Sequence, residues 1–179
     1  WQREQLGPGR AVMRAGEVLC GFDGSTLIAA GDVPFLSRDS IERLFRTHEQ
    51  NTAAATCLSA VFADPTGYGR IIREGESDIL REIVEHKDAS EEVRQIREIN
   101  TGILCFDNRQ LFAALEEIGR DNAQGEYYLT DTIKVLHDKG LPVSVVTADN
   151  PDEVIGVNSV DQLQELAKKF AEDSQEASK

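Results

Sequence analysis

The stretch TLIAAGDVPFLS, residues 26–37, joins a predicted strand to a predicted helix through a glycine, an acid and a proline. Its first residues are apolar and β-prone, which indicates a buried strand, and a helical pattern begins at Ser37. Gly31 lets the backbone turn without a Cβ, and Pro34 stops strand pairing. Asp32 is therefore expected at the carboxyl end of a strand, where α/β sheets bind ligands. The alternative role, a helix cap, fits poorly because four residues separate Asp32 from Ser37.

Strands and helices alternate along the rest of the chain. Further strands are predicted over 53–62, 69–73, 80–85, 99–106 and 142–147, and helices over 9–19, 37–50, 88–95, 107–118, 129–139 and from 159. This alternation predicts an α/β fold with a largely parallel sheet, and the hairpin-like segments between 69 and 85 make the sheet partly mixed. We expect one domain, residues 1–170, followed by a polar tail, residues 171–179, that frays.

Composition and charge limit the partners of this domain. The chain is 40% hydrophobic and 28% charged, as is usual for a soluble globular protein, and its net charge is −13. Nucleic acids and anionic membranes require a basic face, so neither is an expected partner. The sequence also lacks an apolar run of about 20 residues, the length of a membrane span. Cys20, Cys57 and Cys105 lie in apolar segments and are expected to be buried free thiols in a reducing cytoplasm.

Several polar or glycine-rich segments border the predicted strands and helices. They are DPTGYGR (64–70), IVEHKDAS (83–90), EINTGILCF (98–106), NAQGEYYLTD (122–131) and GVNSV (156–160). Buried polar side chains need partners, which a ligand can supply, and backbone N–H groups before a helix favour phosphate. Each segment also has a structural alternative: a hairpin turn, a solvated strand end, or a core tyrosine with Thr130 as a helix cap. Taken singly, none of the segments decides between these interpretations.

Taken together, the segments resemble the uridylyltransferase domain of bacterial N-acetylglucosamine-1-phosphate uridylyltransferases. Seven motifs carry the resemblance in this order: QLGPGRAV, GDVP, DPTGYGRI, IVEHKDAS, EINTGI, NAQGEYYLTD and GVNS. The resemblance implies a Rossmann-like nucleotidyltransferase fold with a mostly parallel, partly mixed sheet. It also implies uridylyl transfer from UTP to N-acetylglucosamine 1-phosphate, which yields UDP-N-acetylglucosamine and pyrophosphate for bacterial peptidoglycan synthesis in the cytoplasm.

The resemblance further implies roles for individual residues. Asp32 would be catalytic and would hold Mg²⁺ together with Asn158. The implied substrate contacts are Gln2 and Gly7 at the uracil, Gly69, Glu85 and Asn100 at the sugar and its N-acetyl arm, and Tyr128 and Thr130 near the sugar phosphate. One carboxylate and one amide oxygen suit Mg²⁺, which prefers a few hard oxygen ligands completed by water and phosphate.

Three substitutions depart from the family pattern. Pro8 replaces a threonine, Arg10 replaces a histidine, and Ala30 stands where an aromatic residue is common. Because Pro8 removes a hydroxyl and an N–H beside the expected base, two alternatives stay open. One is another sugar-nucleotide pyrophosphorylase with altered base selectivity, and the other is a module that binds a sugar nucleotide without turnover.

The family also has an opening strand, a glycine-rich basic loop and a catalytic lysine that no segment of this chain matches. From this difference we expect an internal fragment that lacks the N-terminal strands and is inactive on its own. A homotrimer is expected only if an acetyltransferase domain follows in the parent chain.

Overall fold

The computed structural model describes residues 6–19, 21–157 and 159–176, and it describes side chains as far as Phe170. The helices are α1 (Pro8–Leu19), α2 (Arg38–Gln50), α3 (Glu91–Arg94), α4 (Asn108–Leu115), α5 (Asp131–Asp138) and α6 (Val160–Glu176). The strands are β1 (Ser25–Ile28), β2 (Ala55–Val61), β3 (Arg70–Arg73), β4 (Leu80–Val84), β5 (Glu98–Asp107) and β6 (Val143–Thr147). A single 3₁₀ turn, Pro151–Val154, precedes α6 and was not predicted from the sequence.

The α/β class and the mixed sheet are confirmed, but the predominance of parallel pairs is wrong for the described strands. The sheet order is β4-β3-β5-β2-β6, and β1 also pairs with β5. The β5 strand runs antiparallel to β1, β2 and β3, and β3 runs antiparallel to β4, so β2 and β6 form the one parallel pair that the structure describes. The β3–β4 hairpin reverses the chain, and β5 then runs in the same direction as β4, so β5 is antiparallel to its neighbours β2 and β3.

Apolar residues cover both faces of the sheet. On one face, β2 and β5 residues such as Cys57 and Phe106 pack with Leu111 of α4 and Ile133 of α5. On the other face, Leu58, Ile103 and Cys105 pack with Leu44 of α2. Cys57 and Cys105 are buried and free, as predicted, whereas Cys20 lies outside the described residues. None of the helices described is long and apolar enough to cross a membrane.

Helix boundaries follow the capping side chains. The Ser37 hydroxyl accepts a hydrogen bond from the Ser40 N–H at the start of α2, and the Asp107 carboxylate accepts one from the Gln110 N–H at the start of α4. At the chain's end, α6 continues to Glu176, beyond the point where the sequence predicts a fraying tail to begin. The division into residues 1–170 and 171–179 stays a prediction.

Candidate functional site

The sheet opens into a cavity where β1 and β3 lie along the same edge of β5. Ile28 at the end of β1 pairs with Leu104, and Arg70 at the start of β3 pairs with Ile99. Between these two pairs the described part of the sheet has a gap, and a cavity of about 370 Å³ lies there. Three residues that the sequence predicts as substrate contacts line it: Glu85, Asn100 and Thr130.

A β-bulge in the EINTGILCF segment shapes the floor of this cavity. Leu58 of β2 is opposite Ile103, but the next residue, Ser59, is opposite Asn100, so Thr101 and Gly102 are extra residues in β5. Gly102 has a φ of 77°, which a residue with a side chain rarely adopts. The Thr101 hydroxyl donates a 2.6 Å hydrogen bond to the Leu58 carbonyl oxygen. The bulge thus accounts for the polar residues at the start of a buried strand, and it turns Asn100 towards the cavity.

Hydrogen bonds fix the orientation of the Asn100 amide. Its Oδ1 accepts a 3.0 Å bond from the Gly102 N–H and a 3.4 Å bond from the Cys57 thiol. The Gly102 N–H can only donate, so the oxygen must face it and the Nδ2 amino group is left for the cavity. Asn100 therefore presents two N–H donors to any ligand bound there.

Glu85 supplies the opposite polarity on the other side of the cavity. The Thr130 hydroxyl donates a 2.9 Å hydrogen bond to Glu85 Oε1. Thr130 makes no side-chain cap bond to α5, so the alternative that it only caps this helix is wrong. Burial raises the pKa of Glu85, and the charge of Asp88 adds to this rise while the bond from Thr130 opposes it.

Gly69 connects these two walls. Its carbonyl oxygen accepts a 2.9 Å hydrogen bond from the Asn100 N–H. A Cβ at Gly69 would lie 3.4 Å from both carboxylate oxygens of Glu85 and 3.1 Å from Cγ2 of Ile83. A side chain here would therefore push against Ile83 and lie directly against the carboxylate. The structure brings together Gly69, Glu85, Asn100 and Thr130, although their roles stay predictions.

Tyr128 lies beside this group in a network of acids. Its side chain is buried, and its hydroxyl donates a 3.0 Å hydrogen bond to Asp88 Oδ2. The other oxygen of Asp88 accepts a 2.9 Å bond from the Ala123 N–H, which ties the NAQGEYYLTD segment to the end of β4. Burial raises the pKa of Asp131, at the start of α5, to about 6, and the charges of Glu85 and Asp88 contribute.

Gly7 lies at the start of α1, which forms another wall of the cavity through Pro8, Ala11 and Val12. It has a φ of 88°, and a Cβ there would lie 2.9 Å from the Tyr127 carbonyl oxygen. The same carbonyl accepts a 2.9 Å hydrogen bond from the Gly9 N–H. Gly7 is thus required for the close approach of α1 to the NAQGEYYLTD segment. This is a structural role, and it is compatible with the predicted contact to a base.

Asp32 lies outside the wall of the cavity, two residues beyond Ala30, which is part of it. Its carbonyl oxygen accepts a 2.8 Å hydrogen bond from the Val157 N–H, and a Cβ at Gly156 would lie 3.3 Å from its Oδ2. Burial raises the pKa of Tyr68, and the negative charge of Asp32 adds to this rise. The GVNSV segment and Tyr68 therefore both lie close to Asp32. Asn158 and Gln2 are outside the described residues.

The surroundings of Asp32 fit a hard cation. Within the described residues, no hydrogen bond or ion pair occupies its carboxylate, which projects beside the backbone of Gly156. The same residues hold no group of three or more His, Cys, Asp or Glu side chains arranged for a metal. The predicted site differs from such a group, because it takes one carboxylate and one amide oxygen and leaves other positions to water and phosphate.

One family of known proteins is similar to this chain over most of its length. The family described as Nucleotidyl transferase matches residues 1–172. The chain is 52% identical over 164 residues to the Bifunctional protein GlmU of Brevibacillus brevis, covering 92% of this chain and 35% of that protein. It is 48% identical over 167 residues to the Listeria monocytogenes serotype 4a protein of the same name, covering 93% and 36%. The chain thus spans about a third of the length of these relatives.

Solved structures share the fold at low sequence identity. A UDP-glucose pyrophosphorylase complexed with UDP-glucose superposes with a TM-score of 0.68 at 16% identity, covering 96% of this chain and 64% of that one. A putative glucose-1-phosphate thymidylyltransferase from Bacillus anthracis gives a TM-score of 0.66 at 19% identity, covering 92% and 61%. At such identities the likeness supports the α/β fold alone.

Proposed function

This chain belongs to the nucleotidyl transferase family, and on that premise we propose that it forms the sugar-binding part of an N-acetylglucosamine-1-phosphate uridylyltransferase. Family membership confirms the resemblance found in the sequence and makes the chain part of a nucleotidyltransferase. The substrate, the metal and the roles of single residues are the proposal. One observation carries the proposal: the Asn100 amino group, a hydrogen-bond donor, and the Glu85 carboxylate, an acceptor, line the same cavity.

The cavity has the polarity of a sugar subsite. A sugar hydroxyl both donates and accepts, so it can bridge the Asn100 amino group and the Glu85 carboxylate. The apolar wall formed by Ala11, Ile28 and Leu129 suits the methyl group of an N-acetyl arm. The volume of about 370 Å³ is within the usual range for a small-ligand pocket.

Charge favours one orientation of the sugar phosphate. The charge of Asp88 contributes to the raised pKa of Glu85, and the charges of Glu85 and Asp88 contribute to that of Asp131, so these three acids together oppose a phosphate at that end. The sugar hydroxyls then face Glu85, and the phosphate points towards Asp32. In this orientation Thr130 and Tyr128 serve the hydroxyl end, through their bonds to Glu85 and Asp88, rather than the phosphate.

The reaction then needs little proton transfer. A phosphate oxygen of the sugar phosphate attacks the α-phosphorus of UTP, a new P–O bond forms, and pyrophosphate leaves with the electrons of the broken bond. Because the attacking oxygen is already anionic, no strong base has to remove a proton. Asp32 and Asn158 would hold Mg²⁺, which when bound neutralises and aligns the two anions. The cytoplasm suits this proposal, since a reducing compartment keeps Cys57 and Cys105 as free thiols.

The test measures pyrophosphate release by the enzyme that contains this chain, with Mg²⁺ and paired substrates. UTP with N-acetylglucosamine 1-phosphate should give a higher kcat/KM than UTP with glucose 1-phosphate. A preference for dTTP over UTP would instead support altered base selectivity, which Pro8 on the cavity wall makes the leading alternative. Binding of UDP-N-acetylglucosamine with no turnover would contradict the enzymatic proposal.

A further inference from the structure

Glu153 has a buried carboxylate whose partners are all at the start of α2. The residue is 3% exposed. Its Oε2 accepts a 3.0 Å hydrogen bond from the Ser37 N–H, and its Oε1 accepts a 2.5 Å bond from the Ser40 hydroxyl. Within the part of the chain that the structure describes, no lysine, arginine or histidine forms a salt bridge with it. The charge is therefore met only by neutral donors and by the positive end of the α2 dipole.

Burying the Glu153 carboxylate costs free energy that a contact between apolar side chains would not. A buried carboxylate without a cation loses its hydration and regains only part of it through two hydrogen bonds. An apolar residue at this position would avoid that loss, but it would leave the Ser37 N–H and the Ser40 hydroxyl without this partner. The carboxylate does, however, hold two distant segments in one fixed relation, because both of its oxygens are bonded to α2.

These two segments are the ones that carry the proposed metal ligands. Asp32 lies five residues before Ser37, and Asn158 lies five residues after Glu153. At one end, the hydrogen bond from the Ser37 N–H to Glu153 joins the two segments. At the other end, the 2.8 Å hydrogen bond from the Val157 N–H to the Asp32 carbonyl oxygen joins them. The Asn150 side chain, which accepts a 3.0 Å bond from the Asp152 N–H, fixes the 3₁₀ turn that presents Glu153.

From this double connection we propose that Glu153 is a positioning residue for the Asp32–Asn158 pair. The inference rests on the proposed metal role of that pair. Glu153 touches neither substrate nor metal. It acts by setting the distance between the strand-end acid and the GVNSV segment, so its loss loosens the site and weakens divalent-cation binding while the sugar cavity is unchanged.

The experiment measures Mn²⁺ affinity of the enzyme that contains this chain by the paramagnetic resonance signal of the free ion. Glu153→Ala should weaken Mn²⁺ binding by about 10-fold to 100-fold, the range for residues that orient metal ligands. Glu153→Gln keeps an acceptor for the Ser37 N–H and can donate from its amino group to the Ser40 hydroxyl oxygen, so it keeps both connections and should restore most of the affinity. Asp152→Ala is the matched control, because its carboxylate is in the same turn but pairs with Lys169 near the surface. It should leave the affinity unchanged.

Three further variants show whether a negative result contradicts the metal role or the positioning role. If Asp32→Ala binds Mn²⁺ normally, the metal role in the proposed function is wrong. If Asp32→Ala weakens binding and Glu153→Ala does not, the positioning inference is wrong. The double variant should bind no more weakly than Asp32→Ala, because Glu153 acts through that site, and additive losses would contradict the inference.

If Glu153→Ala does not fold, Ser40→Ala removes only one of the two bonds, and normal Mn²⁺ affinity in that variant would overturn the inference.

Discussion

The Val157 N–H donates a 2.8 Å hydrogen bond to the Asp32 carbonyl oxygen, although the two residues are far apart in sequence. The bond joins the segment after the first described strand to the segment before the last helix. It brings the residue next to Asn158 against the strand-end acid, as a metal site shared by Asp32 and Asn158 requires. Asn158 itself lies outside the described residues, so the shared site is tested by mutation.

Removing the Asp32 carboxylate should remove most of the turnover. Asp32→Asn keeps the backbone bond to Val157 and the size of the side chain, so the fold should be unaffected, but it removes the negative charge and replaces one oxygen with an amino group. We expect kcat of the complete enzyme to fall by about 100-fold or more, as for the loss of one preorganised electrostatic group. Steady-state pyrophosphate release at saturating Mg²⁺ measures this. Asp23→Asn, which changes an exposed acid paired with Arg109, is the control and should retain full activity.

Reversing the polarity of the Asn100 amide should weaken sugar binding. In Asn100→Asp, one carboxylate oxygen still accepts the bonds from the Gly102 N–H and the Cys57 thiol, but the other replaces the Nδ2 donor with an acceptor. It then meets Glu85 across the cavity with the same charge. We expect KM for the sugar phosphate to rise by about tenfold or more, which corresponds to about 1.4 kcal/mol.

The control for this variant is Cys57→Ser, which retains a donor to Asn100 Oδ1 and leaves the Nδ2 group unchanged. Its KM for the sugar phosphate should stay close to the wild-type value. An Asn100→Asp enzyme with normal KM would show that the amide does not contact the sugar.

A methyl group at Gly69 should crowd the same subsite. The Cβ of Gly69→Ala would lie 3.1 Å from Ile83 Cγ2, which must move by a few tenths of an ångström, and in van der Waals contact with the Glu85 oxygens at 3.4 Å. We expect a raised KM for the sugar phosphate with KM for UTP little changed, because the contact is confined to the sugar end. Gly119→Ala is the control, since its nearest non-neighbouring atom is 4.0 Å away, and both KM values should be unaffected. Equal rises in both KM values for Gly69→Ala would argue for general misfolding instead.

The order and type of the elements follow from local sequence signals, whereas the direction of the strands does not. Ser37 and Asp107 cap helices where the sequence predicts helix starts, because capping depends on neighbours within one turn. The antiparallel direction of β5 follows from the β3–β4 hairpin, which reverses the chain between β2 and β5, and alternation alone does not encode this. The predicted mixed sheet is therefore confirmed, and only the predominance of parallel pairs is wrong for the described strands.

In the candidate site, too, the sequence predicts some residues and misses others. Glu85, Asn100 and Thr130 were found by family motifs, and the structure brings them to one cavity. Glu153 was missed because its partners Ser37 and Ser40 are more than 100 residues away and its 3₁₀ turn has no hydrophobic periodicity. An acid between Pro151 and the GVNSV segment was the only available signal, and in a chain with 32 acidic residues such a signal does not stand out.

Asp131 provides a prediction for pH-dependent stability. Burial, with the charges of Glu85 and Asp88, raises its pKa from 3.8 to about 6. The folded state therefore binds this proton more tightly than the unfolded state. The contribution to stability is fully present below about pH 3.8, and it is lost as the pH rises from there through about 6. Asp131→Asn removes the charge, so this variant should be more stable than the wild type at pH 7.5 and nearly equal to it at pH 4.

Urea unfolding of both proteins at these two pH values measures the difference, in which the other titrating groups cancel. Asp138→Asn at the opposite end of α5 is the matched control. Its carboxylate is exposed, and its hydrogen bond from Lys134 lowers its pKa, so its replacement should not stabilise the protein at pH 7.5. A stability gain for Asp131→Asn that is as large at pH 4 as at pH 7.5 would mean that the gain comes from packing or helix propensity and not from the ionised carboxylate. The acids around Thr130 would then not repel one another as the orientation proposed for the sugar phosphate requires.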